Sequence, residues 1–235
     1  MNVSIPGKKN YVFLGGAGSG KSELAVNFAL RLVAEQGRPV HFFDLDMTKP
    51  LFRSRDLVQV LEHDGVLCHF AEQFMDAPTQ AGGVSALLRD PNACTVLDVG
   101  VDYIGARAVG WYGPLLNRPD TAVFYVLNAY RPWMETIEQI DETLGKILGV
   151  SHVRLEQLYL VSNPNTGPGT TTEEFLSGHR RVKEMVEPYH PIRFACASEA
   201  LCPALAGQVD LPIFPLYLYF SEPWLSAGGS LEEGA

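Results

Sequence analysis

The sequence has few basic residues, few cysteines and no long apolar run. Its 18 lysines and arginines are outnumbered by 27 aspartates and glutamates, which gives a net charge of −9. This balance argues against non-specific binding of nucleic acid, which requires a basic surface that can replace counterions. The 4 cysteines in 235 residues are too few and too scattered for a disulfide framework, so a reducing cytoplasm is the expected compartment.

The apolar residues are also not arranged for a membrane. No stretch of about 18 apolar residues is present, so no membrane-spanning helix is expected. The first ten residues are polar and lack the apolar core of a secretory signal. The length and a hydrophobic content of 46% predict one domain over residues 1–235, with a flexible tail at 226–235.

What the sequence does contain is a glycine-rich segment between an apolar run and a helical pattern. Residues 15–22 read Gly-Gly-Ala-Gly-Ser-Gly-Lys-Ser and match G-x-x-x-x-G-K-[ST] at every fixed position. The apolar run Tyr11–Leu14 precedes the segment, and apolar residues recur after it at helical spacing. This order of strand, loop and helix predicts a phosphate-binding loop for a nucleoside triphosphate.

The loop supplies most of the candidate ligand-binding residues. Its glycines let backbone N–H groups face phosphate oxygens, and the helix N-terminus adds the positive end of its dipole. Lys21 is expected to reach the β- and γ-phosphates, and the Ser22 hydroxyl to complete the Mg²⁺ shell. The residues of this segment that are expected to bind nucleotide are Gly16, Ala17, Gly18, Ser19, Gly20, Lys21, Ser22 and Glu23.

Strand-like and helix-like segments alternate along the whole chain. Predicted strands are Tyr11–Leu14, Val40–Phe43, Val66–Phe70, Cys94–Leu97, Ala122–Leu127, Gln157–Val161, Ile192–Cys196 and Ile213–Leu216. Predicted helices are Lys21–Gln36, Arg55–His63, Val84–Arg89, Trp133–Leu148 and Thr172–Val186. Such alternation predicts an α/β fold with a mostly parallel β-sheet and helices on both faces. Ligands of such sheets bind at the carboxyl ends of the strands.

Aspartates close two of the predicted strands. Asp98 ends the fourth strand, where a carboxylate binds Mg²⁺ directly or through water in nucleotide sites. Asp46 follows the second strand in Asp44-Leu45-Asp46, where it can hold a metal-bound water or orient the attacking one. The alternative for this pair is capping of the next helix. The glycine-punctuated residues 99–107 suit a switch that senses the γ-phosphate.

An asparagine follows the sixth predicted strand, in Ser162-Asn163-Pro164-Asn165. The side-chain amide of Asn163 is expected to hydrogen-bond the base of the nucleotide. Guanine-binding loops usually carry N-K-x-D at this place, and its absence favours adenine and therefore ATP. The alternative is an Asn-Pro turn without a ligand.

Together these motifs resemble the MinD/ParA/CobQ group of P-loop ATPases, which includes the nitrogenase iron protein, over residues 11–216. The segments 44–55, 98–107 and 163–172 are more closely similar to a branch of MinD-like bacterial proteins. The resemblance implies a Mg-ATP-driven switch on an unidentified protein partner, in processes that include metallocentre and cofactor assembly. It matches Asp46 to the group's water-orienting aspartate, Asp98 to the Mg²⁺-linked one and Asp102 to the switch aspartate.

The resemblance thus implies a catalytic set of Lys21, Asp46 and Asp102 and a metal-binding set of Ser22, Asp46 and Asp98. The sequence also departs from the group. The lysine that usually follows the first glycine of the loop, and reaches the partner subunit's nucleotide, is replaced by Gly16. Whether the protein forms an ATP-dependent homodimer is therefore left undecided by the sequence. Four basic residues are candidates to replace the missing lysine: Lys49, Arg53, Arg55 and Arg107.

Two further departures concern the iron protein and MinD. Gly105 stands where the iron protein has its switch cysteine, so a cluster-bridged dimer has no support. The basic amphipathic C-terminal helix of MinD is absent, because residues 215–224 are aromatic and acidic. This segment is expected to pack on the domain rather than to bind a membrane.

Two alternatives to the switch remain: a small-molecule kinase and a nucleotide-binding regulator that hardly hydrolyses its nucleotide. A metal site at two cysteines is a separate question. A small-molecule kinase would use Asp46 as the base and Arg53 and Arg55 to clamp an anionic substrate. Cys196 and Cys202 could bind a metal, but their spacing departs from C-x₂₋₄-C and favours buried free thiols.

Overall fold

The computed structural model describes residues 3–45, 58–70, 80–100 and 109–220. Its strands are β1 (Asn10–Gly15), β2 (Val40–Leu45), β3 (Val66–Phe70), β4 (Thr95–Val99), β5 (Thr121–Leu127), β6 (Leu158–Ser162), β7 (Ile192–Ser198) and β8 (Ile213–Leu216). They form one sheet in the order β3-β2-β4-β1-β5-β6-β7-β8. Every neighbouring pair is parallel. The predicted α/β fold with a parallel sheet is confirmed.

The helices of the described residues are α1 (Lys21–Gln36), α2 (Val58–His63), α3 (Gln80–Arg89), α4 (Gly113–Leu116), α5 (Ile137–Ser151), α6 (Thr172–Val186) and α7 (Cys202–Leu205). Short 3₁₀ turns lie at Gly110–Tyr112 and Leu155–Gln157. In the described part of the chain, no helix is both long enough and apolar enough to cross a membrane.

Two helices have the bounds that the sequence predicts, because local signals fix their ends. α1 ends before Gly37, which has φ of 61° and donates its N–H to the carbonyl of Val33. α6 begins with a capping box, in which Thr171 and Glu174 exchange side-chain and backbone hydrogen bonds.

The starts of two other helices were predicted wrongly. α5 begins at Ile137 rather than at Trp133, because the side chain of Thr136 accepts a hydrogen bond from the N–H of Gln139 and caps it. Trp133 has φ of 66°, which no residue of a right-handed helix adopts, and its side chain is 69% exposed. α3 begins at Gln80, ahead of the predicted Val84.

An aromatic cluster fixes α1 on one face of the sheet. The ring of Phe28, from α1, lies 5.0–5.3 Å from the rings of Tyr11, Phe13 and Phe124 on the two central strands β1 and β5. All four side chains are buried, and burying one such ring contributes roughly 1.5–3 kcal/mol. The opposite face is covered by α5, whose Ile140 and Ile147 are buried. The start of α1 is thereby held at the carboxyl end of β1.

A pair of histidines links β2 and β3 at one edge of the sheet. Nδ1 of His41 lies 3.0 Å from Nε2 of His69, and the ring of His69 stacks on Phe43 with 4.4 Å between centroids. Burial lowers the pKa of both imidazoles; His41 lowers that of His69 further, whereas Asp90 raises that of His41. A hydrogen bond between two imidazoles requires a neutral acceptor, so double protonation breaks it.

The pair should make the stability of the fold sensitive to mild acid. Because the folded pKa values lie below 6.5, the unfolded chain binds protons first, and the free energy of unfolding is expected to fall as the pH drops below that value. Urea unfolding at about pH 7.5 and about pH 5.5 measures this loss. We expect a smaller loss for His69→Gln than for wild type and for the control His63→Gln, whose histidine is exposed at the end of α2. Equal losses in all three proteins would contradict the prediction.

Candidate functional site

The loop between β1 and α1 has a backbone that only glycine accommodates at several positions. Gly18 and Gly20 have φ of 68° and 86°, in the left-handed region. A Cβ on Gly15 would lie 2.8 Å from Oγ of Ser19 and 2.9 Å from the carbonyl oxygen of Val126. Gly20 precedes α1 and offers no side chain to cap it, so the first N–H groups of the helix receive no hydrogen bond from the N-cap residue. This is the backbone arrangement of an anion site.

The structure brings together three residues that the sequence assigns to phosphate and metal binding. Lys21 opens α1 with only 4% of its surface exposed, and Asp98 in β4 is fully buried. Nζ of Lys21 lies 3.8 Å from Oδ1 of Asp98 and 3.5 Å from Oγ of Ser22. Burial of both charges strengthens their attraction, because less solvent screens them.

A second carboxylate lies beside this group. Asp44, in β2, is 2% exposed and is the register partner of Asp98 in β4. Sequence reasoning treats Asp44 as part of a loop pair, but the structure places it inside the strand. Asp98 and Ser22 supply a carboxylate and a hydroxyl, which are hard oxygen donors of the kind that Mg²⁺ prefers.

Within the described residues no group of three or more histidine, cysteine or acidic side chains forms a metal cluster. Mg²⁺ in nucleotide sites needs only one or two protein ligands, because phosphates and waters supply the others. Ser22 and Asp98 therefore fit Mg²⁺, whereas a fully protein-ligated metal is not supported in this part of the chain.

Asn163 ties the loop after β6 to the phosphate loop. Its Nδ2 donates to the carbonyl oxygen of Ser19 at 2.8 Å, and its backbone N–H donates to the carbonyl of Leu127. The side chain is 2% exposed and lies so close to Gly20 that a Cβ there would collide with its amide. Base recognition by Asn163 stays a prediction, and its amide also has this structural role.

A cleft opens beside Asn163 and the start of α1. It lies between the loops that follow β6 and β7, where Phe175 and Leu201 contribute apolar walls. The residues that line it are Gly20, Glu23, Asn163, Pro164, Asn165, Gly167, Thr170, Phe175, Cys196, Ala197, Ser198, Leu201, Leu216 and Leu218. An apolar cleft with a few polar groups next to an anion site is suited to a nucleotide base.

The segment after β8 forms one wall of this cleft. The carboxylate of Glu23 accepts hydrogen bonds from the backbone N–H groups of Tyr219 at 2.6 Å and Phe220 at 3.3 Å. Asn27, one turn further along α1, exchanges two hydrogen bonds with the backbone of Tyr217. The predicted packing of the segment is confirmed for the residues up to Phe220. Glu23, predicted as a nucleotide contact, holds this wall.

Sequence reasoning missed Arg131, in the loop after β5. Its Nε donates to the carbonyl oxygen of Gly18 at 2.9 Å. The one available signal was that Arg131 follows a predicted parallel strand, because ligands of such sheets bind at the carboxyl ends of the strands.

Cys196 and Cys202 do not form a metal site with the described residues. Cys196 is buried in the cleft, and burial raises its pKa well above the usual value. Sγ of Cys202 donates to the carbonyl of Ser198 at 3.4 Å. The interpretation as free thiols is therefore favoured. The predicted roles of six further residues concern positions outside the described parts of the chain: Asp46, Lys49, Arg53, Arg55, Asp102 and Arg107.

Solved structures with a similar fold belong to P-loop proteins. FtsY from Mycoplasma mycoides aligns with a TM-score of 0.53 and 14% identity, over 82% of this chain and 61% of that one. Chloroplast FtsY from Physcomitrella patens aligns with a TM-score of 0.51 and 13% identity, over 82% and 59%. FlhF in complex with GTP and Mg²⁺ aligns with a TM-score of 0.49 and 14% identity, over 80% and 65%.

The chain thus spans about three fifths of the length of these structures. No protein-family model matches the sequence, and no curated protein matches it. The parallel sheet, the loop after β1 and the two FtsY alignments show the α/β fold of P-loop NTPases.

Proposed function

We propose that this protein binds and hydrolyses ATP with Mg²⁺ and acts as a nucleotide-driven switch on a protein partner. One observation carries the proposal: the buried ammonium of Lys21 lies 3.8 Å from the buried carboxylate of Asp98, at the uncapped start of α1. A buried cation, an acidic metal ligand and a row of backbone N–H groups are the parts that phosphoryl-transfer sites require.

The residues of the site have different roles, which follow from the chemistry of their side chains. The backbone of residues 16–22 and the ammonium of Lys21 bind the triphosphate, while the Ser22 hydroxyl and the Asp98 carboxylate hold Mg²⁺. When bound, Mg²⁺ neutralises the negative charge on the β- and γ-phosphate oxygens. Asp46 and Asp102 keep their predicted roles in orienting water and in switching. Positioning and charge stabilisation together account for most of the catalysis of this reaction.

The cleft beside Asn163 favours adenine over guanine. Guanine sites usually place a carboxylate on the donors of the base, and among the described residues that line the cleft only Glu23 is acidic. Its oxygens already accept the N–H groups of Tyr219 and Phe220. Among the described residues, the lining therefore offers no further carboxylate for guanine, and the absence of N-K-x-D also favours adenine.

A relationship to the MinD/ParA group and a role in metallocentre or cofactor assembly belong to the same proposal. The net charge of −9 supports a protein partner over a nucleic acid. Hydrolysis of a nucleotide bound beside Asp98 would act on the segment that follows β4. P-loop switches signal through changes in the conformation or the order of such segments. An ATP-dependent homodimer is compatible with this arrangement.

Phosphate release from Mg·ATP without any acceptor tests the proposal, together with competition between nucleotides for a labelled ATP analogue. We expect acceptor-free turnover that EDTA stops, and displacement of the analogue by ATP at lower concentration than by GTP. Better displacement by GTP would overturn the base assignment alone. Phosphate transfer only when an acceptor is present would favour the kinase alternative and overturn the switch.

A further inference from the structure

The loop after β5, residues 128–136, lies directly on the phosphate loop. Nε of Arg131 donates to the carbonyl of Gly18 at 2.9 Å. A Cβ placed on Gly18 would lie 3.0 Å from Nε of Arg131, and one placed on Gly16 would lie 3.1 Å from Cε of Met134. Both glycines therefore lie against side chains of the β5 loop, and substitution of either would displace those side chains.

The β5 loop is held from its other side by α6 and the loop after β6. Asn128 is fully buried and donates to the carbonyl of Asn165 at 3.0 Å, and its Oδ1 accepts the N–H of Tyr130. The hydroxyl of Tyr130 donates to the carbonyl of Glu174 at 2.6 Å. These bonds fix the backbone that carries Arg131, so its side chain starts from a set position instead of sampling the surface.

The direction of the phosphate loop places Arg131 at the far end from the base. The cleft for the base lies beside Gly20 and Glu23, at the start of α1. From there the loop runs back to Gly18 and Gly16, where the β5 loop lies. A triphosphate that follows the loop away from the cleft therefore ends with its terminal phosphate beside Arg131.

The guanidinium has donors left for such a phosphate. It carries five N–H groups, and its hydrogen bond within the described structure uses the one on Nε. The four on the two terminal nitrogens lie in the planar fork that binds phosphate oxygens in pairs. Arg131 is half-buried, and its hydrogen bond to Gly18 lies at an exposed position.

We propose that Arg131 contacts the terminal phosphate of the bound nucleotide and so distinguishes triphosphate from diphosphate. This inference rests on the proposed nucleotide function. The bond to Gly18 aims the guanidinium, and the terminal nitrogens bind the phosphate. Loss of that phosphate on hydrolysis removes the contact, so the β5 loop responds to the state of the nucleotide. Trp133, exposed two residues further on, is carried by the same loop.

The test measures the dissociation constants of a non-hydrolysable triphosphate and of the diphosphate, each with Mg²⁺ at one ionic strength. In Arg131→Gln the amide can still donate to Gly18 but the charge is lost. We expect the triphosphate to bind about tenfold more weakly and the diphosphate to change by less than about twofold. Arg131→Lys, which keeps the charge but not the fork, should lie between Arg131→Gln and wild type.

Arg154→Gln is the matched control, because it removes the same charge from an exposed arginine that precedes the amino end of β6, whereas Arg131 follows the carboxyl end of β5. It should bind both nucleotides as wild type does. An equal loss of both nucleotides in Arg131→Gln would mean that Arg131 only shapes the loop, and this would overturn the inference, as would unchanged binding of both. If wild type binds neither nucleotide, the proposed function itself fails, which the wild-type titration shows separately.

A second measurement uses the fluorescence of Trp133 in a background with Trp111→Phe and Trp224→Phe. Addition of the triphosphate analogue should shift the emission, and addition of the diphosphate should shift it much less. The Arg131→Gln variant in the same background should lose the difference between the two nucleotides. Identical shifts for the two nucleotides in the parent protein would contradict the coupling of the β5 loop to the terminal phosphate.

Discussion

Replacing Lys21 by alanine is expected to weaken Mg·ATP binding about a hundredfold and to reduce turnover to background. The ammonium is almost fully buried at the start of α1, 3.8 Å from Asp98, where little water screens it from bound phosphates. No other lysine lies within the loop that could take its place. Isothermal titration with a non-hydrolysable ATP analogue measures the affinity, and phosphate release measures the rate.

Lys146→Ala is the control for the loss of a lysine. That residue pairs with Glu142 on the outer surface of α5 and is 63% exposed, so its removal should leave both measurements unchanged. Thermal unfolding without nucleotide checks that Lys21→Ala is folded. A folded variant with wild-type affinity and rate would remove the assignment of residues 15–22 as the phosphate site.

Replacing Asp98 by asparagine is expected to lower turnover by roughly 10²–10³ and to raise the Mg²⁺ concentration needed for half-maximal rate. The change keeps the shape of the side chain but removes the charge that a hard divalent cation requires. Nucleotide binding without Mg²⁺ should change much less, because the backbone and Lys21 supply it. A titration of rate against Mg²⁺ at fixed ATP separates the two effects.

Asp141→Asn provides the matched control, since it makes the same change on the exposed side of α5. Its Mg²⁺ titration should overlay that of wild type. If Asp98→Asn lost activity with an unshifted Mg²⁺ requirement, Asp98 would act on Lys21 or on the fold, and its role as a metal ligand would be wrong.

The local parts of the site were predictable because each signal lies within a few residues. The phosphate loop, the full extent of α1 and the start of α6 depend on glycines and caps at fixed offsets, such as Gly37 and Thr171. The parallel sheet followed from alternation of apolar runs with helical patterns. The start of α5 was missed because apolar spacing admitted Trp133, whereas the backbone there is left-handed and Thr136 supplies the cap.

Contacts between distant segments could not be obtained in this way. Arg131 and Gly18 are 113 positions apart, and Glu23 and Tyr219 are 196 apart. His41 and His69 meet only because β2 and β3 are neighbours in register. Spacing along the chain contains no information on such pairs until the order of the strands is known. The sequence therefore predicted the order of strand, glycine-rich loop and helix but not the side chains that surround the loop.

The wide separation of these partners has a consequence for how the site is made during synthesis. The phosphate loop is synthesised before its partners, because Arg131, Asn163 and the wall at residues 217–220 follow their contacts in the loop and α1 by 113, 144 and 196 positions. Contacts at such separations also form slowly, because the entropy cost of closing a long loop precedes the stabilisation that the contacts provide. A nascent chain that ends before β5 would carry the complete phosphate-loop sequence without these neighbours, and the proposed nucleotide binding would have to await the later segments.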